Sequence, residues 1–369
     1  MPAEETCVTR IVTYSCYRDC QPSREIIAVR QIYARNNNLR RVDMDARECD
    51  VNSALTRSMK KHFLFLILIA FFSCGIFGCA VAKRVGIGLL YQRSNLPQNQ
   101  VVENLSYREQ AAGSAPEKQL NLFLPNGTNW PVLVFVHGGN WDSGSKDLKV
   151  GGADVYGNIG RFFALRGIGV AVINYRLQPT ATWREQVQDV GEATRWVYSH
   201  ISKYGGNPRS VFLMGHSAGA QLVAHVALDA QRWITNKLAR ESIRGVISVS
   251  GAGLDMSDEK TYELGESFYY YQARFRSDNL SDWQRKASPI TYIQRGAPPF
   301  LILYGGHEKS SLKRQSEIFS QALSGKGVTN QIVVVPGQNH SRIVLTLSRA
   351  DKVAGSAILE FIERKCASK

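Results

Sequence analysis

The stretch from Ser210 to His225, SVFLMGHSAGAQLVAH, constrains the possible fold more than any other part of the chain. It begins with the short apolar run 211–214, which is typical of a strand buried on both faces. A G-x-S-x-G sequence centred on Ser217 follows, and then a run that is compatible with a helix. A strand that turns sharply into a helix through this sequence is a nucleophile elbow. The stretch therefore predicts an α/β fold with a reactive serine at the tip of its sheet.

Apolar strands alternate with helical segments on both sides of this elbow. Strands are predicted over 118–124, 132–136, 168–173, 245–249, 298–304 and 331–335. Helical segments are predicted around 161–166, over 187–201, and over 316–323 and 354–363. This order indicates a mostly parallel sheet with helices on both faces, in which ligands bind at the carboxyl ends of the strands.

A base must accompany the serine, because a hydroxyl is a poor nucleophile at neutral pH. In chains with a nucleophile elbow, the order is serine, then acid, then histidine. His340 is the only histidine after Glu308, and it lies in a Gly/Asn turn just past the last predicted strand. His307, directly before Glu308 in the sequence, is the competing candidate for the base, but it lies in the loop where the acid is expected. We therefore predict that His340 is the base for Ser217.

The histidine in turn needs a carboxylate that fixes its tautomer and stabilises its protonated form. Glu308 lies in the loop after the strand that precedes the last one, which is where the acid is expected. Asp255 and Asp258, in the loop after the previous strand, are the reserve candidates. We predict Glu308 as the acid.

Acyl transfer also requires N–H donors for the oxyanion that forms on the substrate. The N–H of Ala218, directly after the serine, is one candidate. The loop after strand 132–136 begins His-Gly-Gly-Asn-Trp, and its glycines let the backbone approach a substrate closely. The N–H groups of Gly139 and Asn140 are therefore the other expected donors. His137 is expected to brace this loop, and Trp141 to pack beneath it or to wall the pocket.

Charge and cysteine content exclude several other kinds of function. The formal net charge is +14, but the Lys and Arg residues are scattered rather than clustered, so we expect no nucleic-acid partner. Loose attraction to anionic lipids is the alternative use of this charge. Six of the seven cysteines precede residue 80, and the seventh is Cys366. The globular part is therefore expected to have no disulfide and no thiol nucleophile. Separately, a mechanism that proceeds through an acyl-enzyme needs no metal or cofactor, and none is expected.

The N-terminal third of the chain predicts a membrane tether. Residues 1–58 form a polar, arginine-rich tail that is interpreted either as disordered or as lying before the natural start at Met59, which is favoured. The segment 59–82 contains twenty uncharged residues, enough to span a bilayer. Its end resembles a lipobox in which Cys79 carries the lipid, and an uncleaved signal anchor is the alternative. An exported, membrane-tethered protein is expected.

The remaining chain divides into a linker and one domain. Residues 83–114 are predicted to be a linker, and residues 115–369 the α/β domain. The segment 255–287 is polar and rich in aromatic residues. It is interpreted either as a cap over the substrate or as a surface excursion whose aromatic side chains pack onto the body.

With these residues identified, the chain resembles the α/β-hydrolase superfamily, and within it the carboxylesterase branch that carries H-G-G-x-W. Prenylcysteine methylesterase-like, kynurenine formamidase-like and bacterial feruloyl-esterase-like proteins belong to this branch. The matching stretches are 134–141, 174–177, 204–208 and 213–221, within a domain of about 118–364. The resemblance implies the α/β-hydrolase fold, with Ser217 as nucleophile, His340 as base and Glu308 in place of the more usual Asp.

The expected activity is that of a serine carboxylesterase that hydrolyses a small or medium ester through an acyl-enzyme. An amidase or formamidase that uses the same residues is the alternative. A non-catalytic binding protein on the same scaffold would be expected to lack one of the three residues, and none is lacking. The sequence does not define the acyl group, the alcohol or the oligomeric state.

Overall fold

An eight-stranded sheet forms the centre of the protein, whose computed structural model describes residues 91–108, 115–231, 242–276 and 282–367. Its strand order is β1-β2-β6-β3-β7-β8-β9-β10. These strands are β1 Val101–Ser106, β2 Gln119–Phe123, β3 Trp130–Val136, β6 Gly169–Ile173, β7 Gly206–His216, β8 Ile243–Val249, β9 Phe300–Gly305 and β10 Asn330–Val335. Six neighbouring strands of the sheet, in the order β6, β3, β7, β8, β9 and β10, pair in parallel. Strand β2 pairs antiparallel with β6, and β1 pairs antiparallel with β2. The prediction of a mostly parallel sheet is confirmed.

A short hairpin lies apart from this sheet and consists of β4 Lys149–Val150 and β5 Ala153–Asp154. The helices of the described residues are α1 Val155–Ala164, α2 Trp183–His200, α3 Ala218–Leu228, α4 Glu259–Glu263, α5 Phe268–Phe275, α6 Trp283–Ala287, α7 Ser310–Gly325, α8 Ile343–Thr346 and α9 Val353–Ala367.

The helices cover both faces of the sheet and bury two separate cores. Alternate residues of β7 point to opposite faces, as the two-residue period of a strand requires. Leu213 packs in the core that contains side chains of α2, α3 and α7, and Met214 packs in the core that contains those of α1 and α9. The apolar run of β7 is therefore explained by burial on both faces.

Helix α2 shows how local sequence sets the element boundaries. Its first turn is a capping box, in which Thr182 accepts from the N–H of Glu185 and the Glu185 carboxylate accepts from the N–H of Thr182. A 3-10 turn follows the helix, and Gly205 ends it with a φ of +99°, which favours glycine. The predicted apolar face, which includes Val187 and Val190, is buried.

The sheet starts earlier in the chain than predicted. Residues 101–106 fall in the predicted linker 83–114, yet they form β1 and pair with β2. Asn104 adopts a φ of +58° where the register shifts, so the strand lacks the regular alternation that reveals a half-buried strand. As an edge strand, β1 has only one buried residue, Val101. Its polar residues interrupt the apolar pattern by which a strand is recognised in the sequence.

Three short helices, α4 to α6, occupy most of the segment 255–287. Their aromatic residues Tyr271, Phe275 and Trp283 are buried in the core on one face of the sheet. The ring of Phe275 lies 4.8 Å from that of Trp141, edge to face. These aromatic side chains pack onto the body, as in the second of the two alternatives.

The expectations for the N-terminal tail 1–58, the hydrophobic segment 59–82 and a lipid on Cys79 lie outside the described residues. Within the part of the chain that the structure describes, no helix combines the length and the apolar character needed to cross a bilayer.

Candidate active site

Ser217 lies in the sharp turn between the end of β7 and the start of α3. Its φ of 55° and ψ of −118° are strained for a residue with a side chain. The turn is possible because its neighbours are small: a Cβ at Gly215 would overlap the carbonyl group of Gly219, and one at Gly219 would overlap that of Val136. The N–H of Ser217 donates to the carbonyl oxygen of Val249, which anchors the turn to β8.

The structure brings Ser217, His340 and Glu308 together at the carboxyl ends of three strands. The Oγ of Ser217 lies 2.9 Å from Nε2 of His340, and Nδ1 of His340 lies 3.3 Å from Oε2 of Glu308. Glu308 follows β9 and His340 follows β10, so the parallel order of the strands places both loops beside the elbow.

Glu308 is held as a carboxylate beside the imidazole. Burial raises the pKa of Glu308, but its hydrogen bond to His340 and a further hydrogen bond from the N–H of Lys309 oppose burial. The net effect is a pKa below the ordinary value of 4.5. An ionised carboxylate at this place favours the tautomer of His340 that carries its proton on Nδ1, which leaves Nε2 free to accept the serine proton.

Asp258 and Asp255, the reserve candidates for the acid, make contacts with other groups. Asp258 forms an ion pair with Arg314 and caps α4. Asp255 accepts a hydrogen bond from the N–H of Ser257. The side chain of His307 is exposed, and its backbone N–H donates to the carbonyl oxygen of Gln338.

The loop after β3 turns tightly beside the serine. Gly139, Asn140 and Trp141 all have positive φ, at 118°, 55° and 65°. The carbonyl oxygen of Gly139 accepts from the N–H and the hydroxyl of Ser143, which turns this oxygen into the loop. Among the described residues, the N–H groups of Gly139, Asn140 and Ala218 donate to no other group. They are free to bind an oxyanion.

His137 and Trp141 support this loop from inside the protein. The ring of His137 stacks on Tyr175 with the ring centroids 4.5 Å apart, and burial lowers the pKa of His137 to about 4. A neutral, stacked imidazole braces the loop. The indole N–H of Trp141 donates to the side chain of Gln221 on α3, and the indole itself is buried.

Helix α5 contacts the same loop from outside, which the sequence did not reveal. The Arg274 side chain donates from Nε to the carbonyl oxygen of Asn140 over 3.1 Å and also forms an ion pair with Asp142. The guanidinium stacks on the ring of Tyr270. Because the hydrogen bond to the loop is accepted by a backbone oxygen, no residue pattern in the sequence could have indicated it.

His216 is a second residue whose place at the site the sequence did not reveal. Its Nε2 lies 2.9 Å from the carbonyl oxygen of His340, and since that oxygen only accepts, Nε2 carries the proton. Its Nδ1 is buried and has no hydrogen-bond partner among the described residues. Burial, and then the neighbouring His340, lower the pKa of His216 to about 3. His216 therefore fixes the loop of His340 without carrying a charge.

A cavity of about 530 Å³ opens beside Ser217. It is lined by Gly138, Gly139, Asn140, Ser143, Gly144, Leu148, Val150, Val155, Tyr156, His216, Ser217, His340, Ser341, Arg342, Val344 and Leu345. Within the described ranges, no group of three or more His, Cys, Asp or Glu side chains is arranged to hold a metal ion. A pocket of this volume accepts a small or medium organic molecule.

Known proteins are similar in sequence to this chain over more than half of its length. Residues 120–323 match the family model BD-FAE. Isoprenylcysteine alpha-carbonyl methylesterase ICME of Arabidopsis thaliana is 30% identical over 251 residues, which cover 63% of this chain and 56% of that protein. Esterase LipQ of Mycobacterium tuberculosis is 30% identical over 244 residues, which cover 65% and 56%. The chain thus spans about half the length of the curated relatives that it matches.

Solved structures share the fold. Esterase B of Lactobacillus rhamnosis superimposes with a TM-score of 0.60 at 20% identity, over 79% of this chain and 96% of that one. An esterase of Thermogutta terrifontis, Est2, superimposes with a TM-score of 0.53 at 22% identity, over 71% and 92%. Because the family match spans more than half of the 369 residues, the chain belongs to the BD-FAE family of α/β-hydrolase carboxylesterases.

Proposed function

We propose that this protein is a serine carboxylesterase that hydrolyses a small or medium ester, with Ser217 as nucleophile, His340 as base and Glu308 as acid. The observation that carries the proposal is the 2.9 Å contact between Ser217 Oγ and His340 Nε2 at the wall of the cavity. The esterase names of the relatives support the same reaction class.

Acylation begins when Ser217 Oγ attacks the carbonyl carbon of the ester and its proton passes to Nε2 of His340. The carbonyl oxygen becomes an oxyanion that accepts hydrogen bonds from the N–H groups of Gly139, Asn140 and Ala218. The bond to the alkoxy group then breaks, and the proton on His340 passes to the leaving alcohol. The product of this half-reaction is an ester between the acyl group and Ser217.

Deacylation repeats these steps with water. His340 takes a proton from the water, whose oxygen attacks the acyl carbon, and the same N–H groups bind the second oxyanion. The bond to Ser217 Oγ breaks, the proton returns to that oxygen, and the acid leaves. Glu308 stays ionised and stabilises the imidazolium in both halves.

Replacement of the nucleophile tests the proposal. We expect Ser217→Ala to reduce kcat for p-nitrophenyl acetate by about 10⁴-fold or more, since the serine acts as a unit with its base. Ser202→Ala, which changes an exposed serine outside the cavity, is the matched control and should keep activity within about twofold. Thermal melts show whether both variants are folded. A folded Ser217→Ala variant with full activity would refute the assignment.

We also propose that the chain is exported and tethered to a membrane, by a lipid on Cys79 or by an uncleaved anchor within 59–82. The support is the sequence itself: residues 63–82 are twenty uncharged residues, and they contain a lipobox-like Gly78-Cys79 near their end. Growth with labelled palmitate and carbonate extraction of membranes distinguish the two tethers. Loss of label in Cys79→Ala indicates the lipid, and an unlabelled protein that resists extraction indicates the anchor. Recovery of the native protein in the soluble fraction would contradict both.

A further inference from the structure

Arg342 is the one Lys, Arg, Asp or Glu side chain among the residues that line the cavity. It follows His340 by two residues and precedes α8, so the loop that supplies the base also places a positive charge at the cavity. Its side chain is exposed, which places the guanidinium at the mouth rather than in the interior. A ligand in the cavity therefore meets a single formal charge, and that charge is positive.

This guanidinium has no carboxylate partner in the described part of the chain. Other arginines do: Arg274 pairs with Asp142, and Arg314 pairs with Asp258. For Arg342, the hydrogen bond that fixes its position is made by its backbone N–H, which donates to Asn339 Oδ1 over 3.0 Å. The backbone is thus held in place while the five N–H donors of the side chain are available.

The rest of the cavity wall is largely apolar. Leu148, Val150 and Val155, which lie in or next to the β4–β5 hairpin, contribute apolar side chains to it, and so do Val344 and Leu345 of α8. The phenol of Tyr156 belongs to the same wall, and burial raises its pKa to about 12, so it carries no charge at neutral pH. The apolar surfaces are suited to hydrocarbon, whereas the guanidinium of Arg342 is suited to an anion.

We propose that the preferred substrate is an ester with an apolar body and a free carboxylate, which pairs with Arg342 while the ester carbonyl lies at Ser217. The inference rests on the proposed esterase activity and specifies its substrate class. A planar guanidinium forms two parallel hydrogen bonds to a carboxylate, and this pairing is stronger than a neutral hydrogen bond. The carboxylate can belong to the acyl group or to the alcohol, and the test separates these sources.

Two pairs of probes compare a free carboxylate with its own methyl ester. Mono-p-nitrophenyl adipate and methyl p-nitrophenyl adipate carry the difference on the acyl side. 4-Acetoxybenzoate and methyl 4-acetoxybenzoate carry it on the alcohol side. For each probe, kcat/KM is measured for the unchanged protein, for Arg342→Gln and Arg342→Lys, and for Arg209→Gln. Arg209 is the matched control because it is an exposed arginine at the opposite end of β7 from Ser217.

In at least one pair, Arg342→Gln should lower kcat/KM for the carboxylate by about three- to tenfold and change that for the methyl ester by less than about twofold. For Arg342→Lys, kcat/KM for the carboxylate should lie between the values for the unchanged protein and for Arg342→Gln. Arg209→Gln should leave the ratio of kcat/KM for the carboxylate to that for the methyl ester unchanged. In the unchanged protein, raising the salt concentration should weaken hydrolysis of the carboxylate more than that of its methyl ester. The pair that responds identifies the side of the ester that carries the anion.

The result that would overturn this inference is a ratio of kcat/KM for the carboxylate to kcat/KM for its methyl ester that neither Arg342→Gln nor salt alters in either pair. That result would leave the esterase proposal intact. Failure of the unchanged protein to hydrolyse all four probes and also p-nitrophenyl acetate would instead overturn the esterase proposal and this inference with it.

Discussion

At the scale of single residues, His216 joins the two loops that flank the serine. Its Nε2 donates to the carbonyl oxygen of His340. Its other edge lies against the loop after β3, where a Cβ added to Gly138 would approach Nδ1 to 3.0 Å. Because burial lowers the pKa of His216 to about 3, its ring is neutral at neutral pH. His216 therefore adds no positive charge beside His340.

We predict that His216→Leu lowers kcat by about 10- to 100-fold with little change in KM. The reason is that the carbonyl oxygen of His340 loses its hydrogen-bond donor, so the imidazole of His340 is no longer held in place. His216→Gln retains an N–H donor and should recover most of the loss. In pH profiles of kcat/KM, both variants should keep the acid limb of the unchanged protein, since His216 does not titrate there. Unchanged kcat in a folded His216→Leu variant would contradict this role.

For Glu308, the expected result of Glu308→Gln is a fall in kcat of about 10³- to 10⁴-fold, because the amide no longer fixes the tautomer or stabilises the imidazolium. Stability should also respond. The pKa of Glu308 lies below 4.5 in the folded protein, so its ionised form stabilises the fold above that pH, and this contribution is lost as the pH falls through the folded pKa.

Urea denaturation of the unchanged protein and of Glu308→Gln, at a series of pH values from about 7 to about 3, measures this contribution. The difference in free energy of unfolding should shrink toward the acid end. Glu363→Gln, an exposed glutamate on α9, is the matched control. A difference that grows as the pH falls would contradict the sign of the pKa shift.

The three proposed catalytic residues were easier to predict from the sequence than the residues that hold the surrounding loops in place. Ser217 and its two partners follow from a local motif and from the order of loops along a parallel sheet. His216 and Arg274 act through hydrogen bonds to the backbone oxygens of His340 and Asn140, which lie 124 and 134 residues away in the chain. Any residue can supply such an oxygen, so only the folded structure identifies these partners.

At the scale of elements, the turn from β7 to α3 depends on glycine. We predict that Gly215→Ala destabilises the protein by about 2–3 kcal/mol, because the added Cβ overlaps the backbone of Gly219 and the chain has to shift. Gly325→Ala is the control: no atom lies within 4 Å of its added Cβ, and alanine favours the helical state of α7, so stability should rise slightly. Urea midpoints measure both, and equal midpoints would contradict the prediction.

Buried elements were easier to predict than edge elements. Strands β3, β6 and β9 are apolar because both of their faces are covered, so composition alone indicates them. Strand β1 lies at the edge and half of its residues are polar, so its composition does not distinguish it from a linker. The segment 255–287 left two alternatives because aromatic residues suit both a cap and a packed surface.

At the scale of the whole molecule, the sheet topology explains why distant residues meet. Strands β7, β9 and β10 run in the same direction, so the loops after them, which carry Ser217, Glu308 and His340, open at the same edge. The alternation of strands and helices was sufficient to predict this arrangement. The apolar side chains that line the cavity come from the β4–β5 hairpin, from the residues directly before and after it, and from α8. The hairpin and α8 are too short to give a periodic signal in the sequence.

The central claim, that Ser217 is a nucleophile activated by His340, is tested most directly by labelling with a fluorophosphonate followed by peptide mapping. We predict one adduct per chain, located on Ser217, and much slower labelling of a folded His340→Asn variant. An adduct on another residue, or the absence of any adduct in a preparation that hydrolyses p-nitrophenyl acetate, would contradict the claim.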